Sequence, residues 1–197
     1  MATQAEPILA LFRSTGAYLE GHFQLTSGLH SAEYLQCALV LQHPAAAERL
    51  GRQLAGALRS LAADKIQLVA APALGGLIIG HEVARALGSR FIFAERDPAT
   101  GKMALRRGFN VASGETAVVV EDVITTGGSS RDVVELLSAG GAKVVAAGSI
   151  IDRSGGHACV SVPRVALATL QVAAHYPPQC PLCARGIPVV KPGSRPA

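Results

Sequence analysis

The chain has 197 residues, roughly one domain's worth at about 150 residues per domain. With 49% hydrophobic and 16% charged residues it lacks the polar, highly charged signature of disorder, and 4% aromatics without Trp leave few stacking platforms for nucleic acid bases. A net charge of +4, carried by many Arg and only four Lys (Lys65, Lys102, Lys143, Lys191), suits phosphorylated or carboxylated small molecules as well as polyanions.

The start, MATQAEPILALF, lacks the basic and apolar regions of a secretory signal. The longest apolar stretch, Leu68 to Gly80, is broken by Pro72 and three glycines and is shorter than the roughly 18 residues of a membrane span. A cytoplasmic protein without membrane or nucleic acid partners is expected. His22 to Thr26 and Ala32 to Leu41 read as extended segments around a Ser27-Gly28 turn, a small antiparallel addition. Behind Pro44, Leu50, Leu54, Leu58 and Leu61 recur at helical spacing. Ile66 to Ala71 reads as a strand, and Leu77 to Leu87 as a helix stopped by Gly88. Phe91 to Ala94 is the next strand, followed by a basic, Gly-containing loop, Glu95 to Gly108, without a period of its own. Ala117 to Val120 is a buried strand ending in Glu121 and Asp122, after which Gly127 and Gly128 open a helix. Val144 to Ile151 and Val165 to Leu170 supply two further strands, and from Tyr176 to Ala197 prolines and glycines predict an irregular tail.

Strands alternating with helices define an α/β fold with a mostly parallel central sheet flanked by helices. One domain is expected, with a hood over about 1–43, a core over about 44–175 and a tail over 176–197. Ligands of such sheets bind beyond the carboxyl ends of the strands. There, Val118-Val119-Val120-Glu121-Asp122-Val123-Ile124-Thr125-Thr126-Gly127-Gly128-Ser129-Ser130 delivers two adjacent carboxylates and then a hydroxyl- and glycine-rich helix start. Free N–H groups at that start can cradle a phosphate, and the carboxylates suit ribose hydroxyls or a hydrated Mg²⁺. The string is neither a Walker A loop nor a dinucleotide fingerprint, since it lacks the Lys of one and the G-x-G-x-x-G of the other.

This string resembles the PRPP-binding motif of the type I phosphoribosyltransferases. Phe23-Gln24-Leu25-Thr26-Ser27-Gly28, with Ser31 and Tyr34, is similar to the N-terminal hood of the orotate phosphoribosyltransferases, and Ile151-Asp152-Arg153 to the segment where they place an orotate-binding arginine. The resemblance covers about residues 15–155. It implies transfer of ribose 5-phosphate from PRPP to N1 of orotate in pyrimidine biosynthesis, with Mg²⁺ held mainly through PRPP and no certain protein ligand. It implies that Glu121, Asp122, Val123, Ile124, Thr125, Thr126, Gly127, Gly128 and Ser129 bind PRPP. Thr125, Arg153 and Tyr34 are implied at orotate, and Ala73 and Gly75, in Ala71-Pro72-Ala73-Leu74-Gly75-Gly76, at pyrophosphate. The 95–108 loop is implied to reach the neighbouring subunit of a homodimer, bringing Arg96, Lys102, Arg106 and Arg107 to the departing pyrophosphate, with Lys102, Arg96 and Asp122 as the catalytic set.

Better-known bacterial members of the family carry Lys where Thr26 and Gly75 stand and His where Ala104 stands. Two other functions share the PRPP motif: a purine phosphoribosyltransferase, and a non-catalytic PRPP-sensing regulator. The hood and Arg153 favour an acidic pyrimidine, and Lys102 favours turnover. Cys180-Pro-Leu-Cys183 has the spacing of half a zinc ribbon, with His175, His157 and Cys159 the further donors considered. Reduced thiols in an irregular tail are the reading the spacing alone favours.

Overall fold

The computed structural model describes residues 5–25 and 27–192. Thr26, where better-known relatives carry a lysine, lies outside the described residues.

The chain opens with helix α1 (Ala5–Ser14), which buries Ile8 and Phe12 one turn apart and pairs Arg13 with Glu6 at 2.8 Å. Strands β1 (Tyr18–Gln24) and β2 (His30–Leu35) follow as an antiparallel hairpin. The register slips between Glu20 and Phe23, so that two residues, Gly21 and His22, oppose one on β2. Such a bulge re-aims side chains, and His22 and Phe23, neighbours in sequence, are both buried. The second extended segment is shorter than expected: Cys37–Leu41 is a helix, α2, because five apolar residues in a row carry no period that separates strand from helix.

Residues Leu41–Leu170 form the larger of two compact units. Helix α3 (Pro44–Arg59) has Pro in its first turn and buries Leu50, Leu54 and Leu58 completely. Strand β3 (Leu68–Pro72) is buried at every position, as a strand covered on both faces must be. Helix α4 (Gly76–Leu87) ends on Gly88 at φ +65°, the left-handed cap expected there. Strand β4 (Arg90–Arg96) turns back into β5 (Met103–Leu105), which pairs with it antiparallel, Arg96 opposite Met103 and Ala94 opposite Leu105. The stretch read as a loop is therefore a β-hairpin. Its tip is tied by Asp97, whose carboxylate accepts hydrogen bonds from the N–H groups of Ala99 (2.9 Å) and Thr100 (3.0 Å). Strand β6 (Thr116–Ile124), helix α5 (Gly128–Ala139), strand β7 (Lys143–Asp152) and strand β8 (Arg164–Thr169) complete the unit.

The sheet runs β5-β4-β3-β6-β7-β8, parallel throughout except at β5. Helix α5 packs on the face presenting Leu68, Ala70, Ile92, Ala117 and Val119. Helices α3 and α4 cover the other: Leu54 and Leu58 lie against Gly148, and Gly80 lies where a Cβ would meet Phe91 at 2.5 Å. Truncating one of the buried leucines of α3 to Ala typically costs about 2 to 5 kcal/mol.

The chain after Leu170 belongs with the segment before Leu41. Strand β9 (Ala174–His175) adds to β2 antiparallel, and a 3-10 turn at Pro177–Gln179 leads into helix α6 (Pro181–Ala184). Val190 then runs beside β1, donating to the His22 carbonyl at 2.8 Å and accepting from the Gln24 N–H at 2.8 Å. The tail expected to be irregular thus contains short elements and returns to the hairpin.

Candidate active site

The connection after β3 leads by α4 to β4 on one side, whereas β6 enters on the other side of β3 and is followed outward by β7 and β8. This reversal of winding opens a crevice at the carboxyl ends of β3 and β6. The two loops singled out from sequence bracket it.

Strand β6 is longer than its apolar run, so Glu121 and Asp122 lie within the strand near its end. Both are half-buried and closely surrounded. Burial pushes Glu121 up to about 7, the Ser130 hydroxyl that donates to it pulls the other way, and the neighbouring Asp122 charge adds to the rise. Burial likewise raises Asp122, opposed by the N–H groups at Val123 and Asp122 itself. Asp122 leans on the β3 turn: a Cβ at Gly75 would lie 2.6 Å from its Oδ1. Any side chain at position 75 therefore has to displace this carboxylate. Gly76 is equally confined, 2.9 Å from Ala71 Cβ and 3.0 Å from the Val120 carbonyl, which brings α4 tightly onto the strands. The Ala73–Leu74 peptide is cis, and the Ala73 N–H is fixed on the Ala94 carbonyl at 2.8 Å.

After Ile124 the exposed Thr125 and Thr126 lead to Gly127, whose φ of +83° and position against the Cys159 carbonyl admit only glycine. The first intrahelical bond runs from Arg131 N–H to the Gly127 carbonyl, 2.8 Å, so the N–H groups of the preceding turn have no carbonyl behind them in the helix. These groups and the hydroxyls of Thr125, Thr126 and Ser129 share one short turn at the helix start, the kind of arrangement that binds anions. Arg96, at the end of β4, reaches across: its guanidinium donates to the Gly101 carbonyl (2.8 Å), pairs with Asp132 (3.1 Å) and stands 3.5 Å from Ser129 Oγ.

The other expected cations separate into two kinds. Arg107 donates two hydrogen bonds to Glu95 (2.9 and 3.0 Å) and lies over the Phe93 ring at 5.5 Å, and Arg106 is 3.9 Å from Asp97. Lys102 projects from the exposed hairpin tip. Arg153 directly follows β7, its N–H on the Ile124 carbonyl at 2.8 Å, which fixes its backbone beside the end of β6. Next to it Asp152, almost fully buried, accepts from Ser154 N–H (2.7 Å), Ser154 Oγ (2.6 Å) and Arg164. Burial alone would raise that carboxyl, but Ser154 and Arg164 outweigh it and hold it below its ordinary value. The partnership of Asp152 with Arg164 carries no sequence motif, and it anchors the turn carrying Arg153. Tyr34 belongs to the smaller unit, on β2, its ring 5.9 Å from Phe23.

Residues 38–167 match the phosphoribosyl transferase domain. An orotate phosphoribosyltransferase of Pelotomaculum thermopropionicum is 53% identical over 190 residues, covering 96% of this chain and 97% of that one. One from Carboxydothermus hydrogenoformans is 52% identical over 187 residues, 94% and 95% of the two chains. The crystal structure of orotate phosphoribosyltransferase from Aeropyrum pernix superposes with a TM-score of 0.68 at 26% identity, over 83% of this chain and 94% of that one. The chain belongs to the phosphoribosyltransferase family, and within it to the orotate phosphoribosyltransferases. Among the described residues no helix is long and apolar enough to cross a membrane.

Proposed function

We propose that this chain transfers ribose 5-phosphate from PRPP to N1 of orotate, forming orotidine 5′-phosphate and pyrophosphate. The observation that carries this reading is the crevice at β3 and β6, where an adjacent carboxylate pair, a helix start and a glycine turn converge in a chain about half identical to orotate phosphoribosyltransferases.

The 5′-phosphate sits on the N–H groups and hydroxyls of Thr125 to Ser129, with Val123 and Ile124 supplying the rigid strand end beneath. Glu121 and Asp122 accept hydrogen bonds from the ribose hydroxyls; burial raises the proton affinity of both carboxylates, and hydroxyl donors favour the charged form. Mg²⁺ bound with PRPP would neutralise diphosphate charge as the leaving group departs. Hard oxygen donors suit the cation, and the Glu121 and Asp122 carboxylates are the ones at hand. The Ala73 to Gly75 turn backs the pyrophosphate.

In the reaction the C1–O bond breaks and its electron pair leaves with pyrophosphate. N1 of orotate, giving up its proton, supplies the pair for the new C–N bond. Charge builds on the leaving group only as that bond lengthens, so Lys102 and Arg96 act most strongly in the transition state. Closing the 95–108 hairpin over the site of a second copy excludes water from the activated ribose. Leu74 and Ile78, exposed at the start of α4, offer apolar surface for a homodimer. Arg153 pairs with the orotate carboxylate, for which a planar guanidinium is suited, beside Thr125. Four cysteines scattered through a chain of this size fit a reducing cytoplasm.

Arg153→Ala tests the base assignment. Loss of one charge-assisted pair, about 1.5 to 3 kcal/mol, should raise the KM for orotate roughly tenfold to hundredfold with that for PRPP nearly unchanged. Equal changes in both constants contradict it.

A further inference from the structure

The hairpin and the returning tail bring four metal-ligating atoms to one point of the smaller unit. His22 Nε2 lies 2.8 Å from His30 Nδ1, 3.5 Å from Cys180 Sγ and 3.6 Å from Cys183 Sγ, and Cys183 Sγ lies 3.2 Å from His30 Nδ1. All four atoms fall within 4.8 Å of one another. Zn–S bonds near 2.3 Å and Zn–N bonds near 2.0 to 2.1 Å give a tetrahedral site edges of about 3.3 to 3.8 Å. The two His22–sulfur distances are those of such a tetrahedron, while the His22–His30 and His30–Cys183 distances are shorter than its edges and lengthen when an ion enters.

Protonation separates a metal site from a cluster of hydrogen bonds. His22 Nδ1 lies 2.7 Å from the Ile187 carbonyl, which can only accept, so Nδ1 donates there and Nε2 is the ring atom left for the cluster, where a neutral ring offers one lone pair. That single lone pair faces His30 and both sulfurs. One hydrogen bond satisfies one of these neighbours, whereas a cation at the centre engages all four. The carbonyl contact is also the outer-shell bond that fixes a ligating histidine. The bulge in β1 turns His22 inward, and His22, His30 and Cys180 are all buried, with Cys183 exposed.

We propose that His22, His30, Cys180 and Cys183 bind one zinc ion in a closed, structural site. Two thiolates cancel the charge of a divalent cation, so the loaded cluster is neutral and compatible with burial, and thiolates select zinc over magnesium or calcium. Four protein ligands leave no open position for substrate, which assigns a structural role. The ion cross-links the side chains of hairpin and tail where Val190 joins them by backbone bonds. This site is independent of the PRPP crevice and of the reading given to it.

The test measures metal on the whole chain purified without chelators. Elemental analysis should find about one zinc per chain, and cobalt substitution should give the intense visible and thiolate charge-transfer bands of tetrahedral S₂N₂ coordination. Cys180→Ser and His22→Ala should each lose the metal, while Cys159→Ser and His175→Ala, outside the cluster, should retain it. Should the first two fail to fold, thiol titration of the unaltered chain decides: Cys180 and Cys183 should react only after a chelator strips the ion. No bound zinc after equilibration with the metal, a Cys180–Cys183 disulfide in the purified chain, or metal loss on Cys159→Ser or His175→Ala would overturn the proposal.

Discussion

Glu121 is the residue whose environment makes the sharpest demand. Its folded pKa of about 7 lies above the ordinary 4.5, so between those values the folded chain holds a proton that the unfolded chain has released. The stabilisation from neutral Glu121 is therefore fully present below 4.5 and lost as pH rises through about 7. Glu121→Gln, neutral throughout, should escape this loss. The Tm of the unaltered chain should fall relative to that of the variant between about pH 4.5 and pH 8, by the equivalent of about 3 kcal/mol at most. A Tm difference independent of pH would mean that Glu121 ionises normally. Bound PRPP should narrow the gap, because ribose hydroxyls donate to the ionised carboxylate.

Among elements, the β4–β5 hairpin carries the largest functional claim. Arg107 is occupied by Glu95, Arg96 by Asp132 and Arg106 lies 3.9 Å from Asp97, so among the described residues of the hairpin exposed Lys102 is the cation without an ion pair to hold it back. Lys102→Ala should lower kcat roughly 10²-fold or more while leaving PRPP affinity nearly intact. Mixed with Asp122→Ala under conditions of subunit exchange, it should regain activity, since a hybrid dimer holds one site with neither defect. Hybrids that form and stay inactive would place the hairpin over its own chain's site.

The hairpin also shows where legibility stopped. Helices α3 and α4 were readable because periodic leucines, Pro44 and Gly88 all act within a few residues of one another. The PRPP string was readable for the same reason, its carboxylates, hydroxyls and glycines being consecutive. Strand β5 was not, because three residues, Met103–Leu105, are too few to show alternation and owe their strand to pairing with β4. Helix α1 offers only Ile8 and Phe12 as an apolar stripe, too short to mark a helix from sequence. The Cys180–Cys183 pair is legible as half a metal site, but the sequence offers His175, His157 and Cys159 as its nearer donors. The histidines that face it stand far away in sequence, His22 being 158 positions from Cys180, a distance only folding closes.

At the scale of the whole molecule, the larger unit holds the PRPP crevice, and the smaller joins both ends of the chain. The crevice recognises a ribosyl phosphate and its leaving group, which purine and pyrimidine enzymes share, so the base decides the function. Orotate differs from purines in its carboxylate, and Arg153, at the end of β7, is the residue proposed to pair with it. The most direct measurement incubates the chain with PRPP, Mg²⁺ and orotate, follows orotate absorbance, and repeats the assay with adenine, hypoxanthine and guanine. Orotate should be consumed with matching formation of orotidine 5′-phosphate, and the purines should be left untouched; turnover of any purine at a rate equal to or above that of orotate, or no turnover of orotate, would contradict the account.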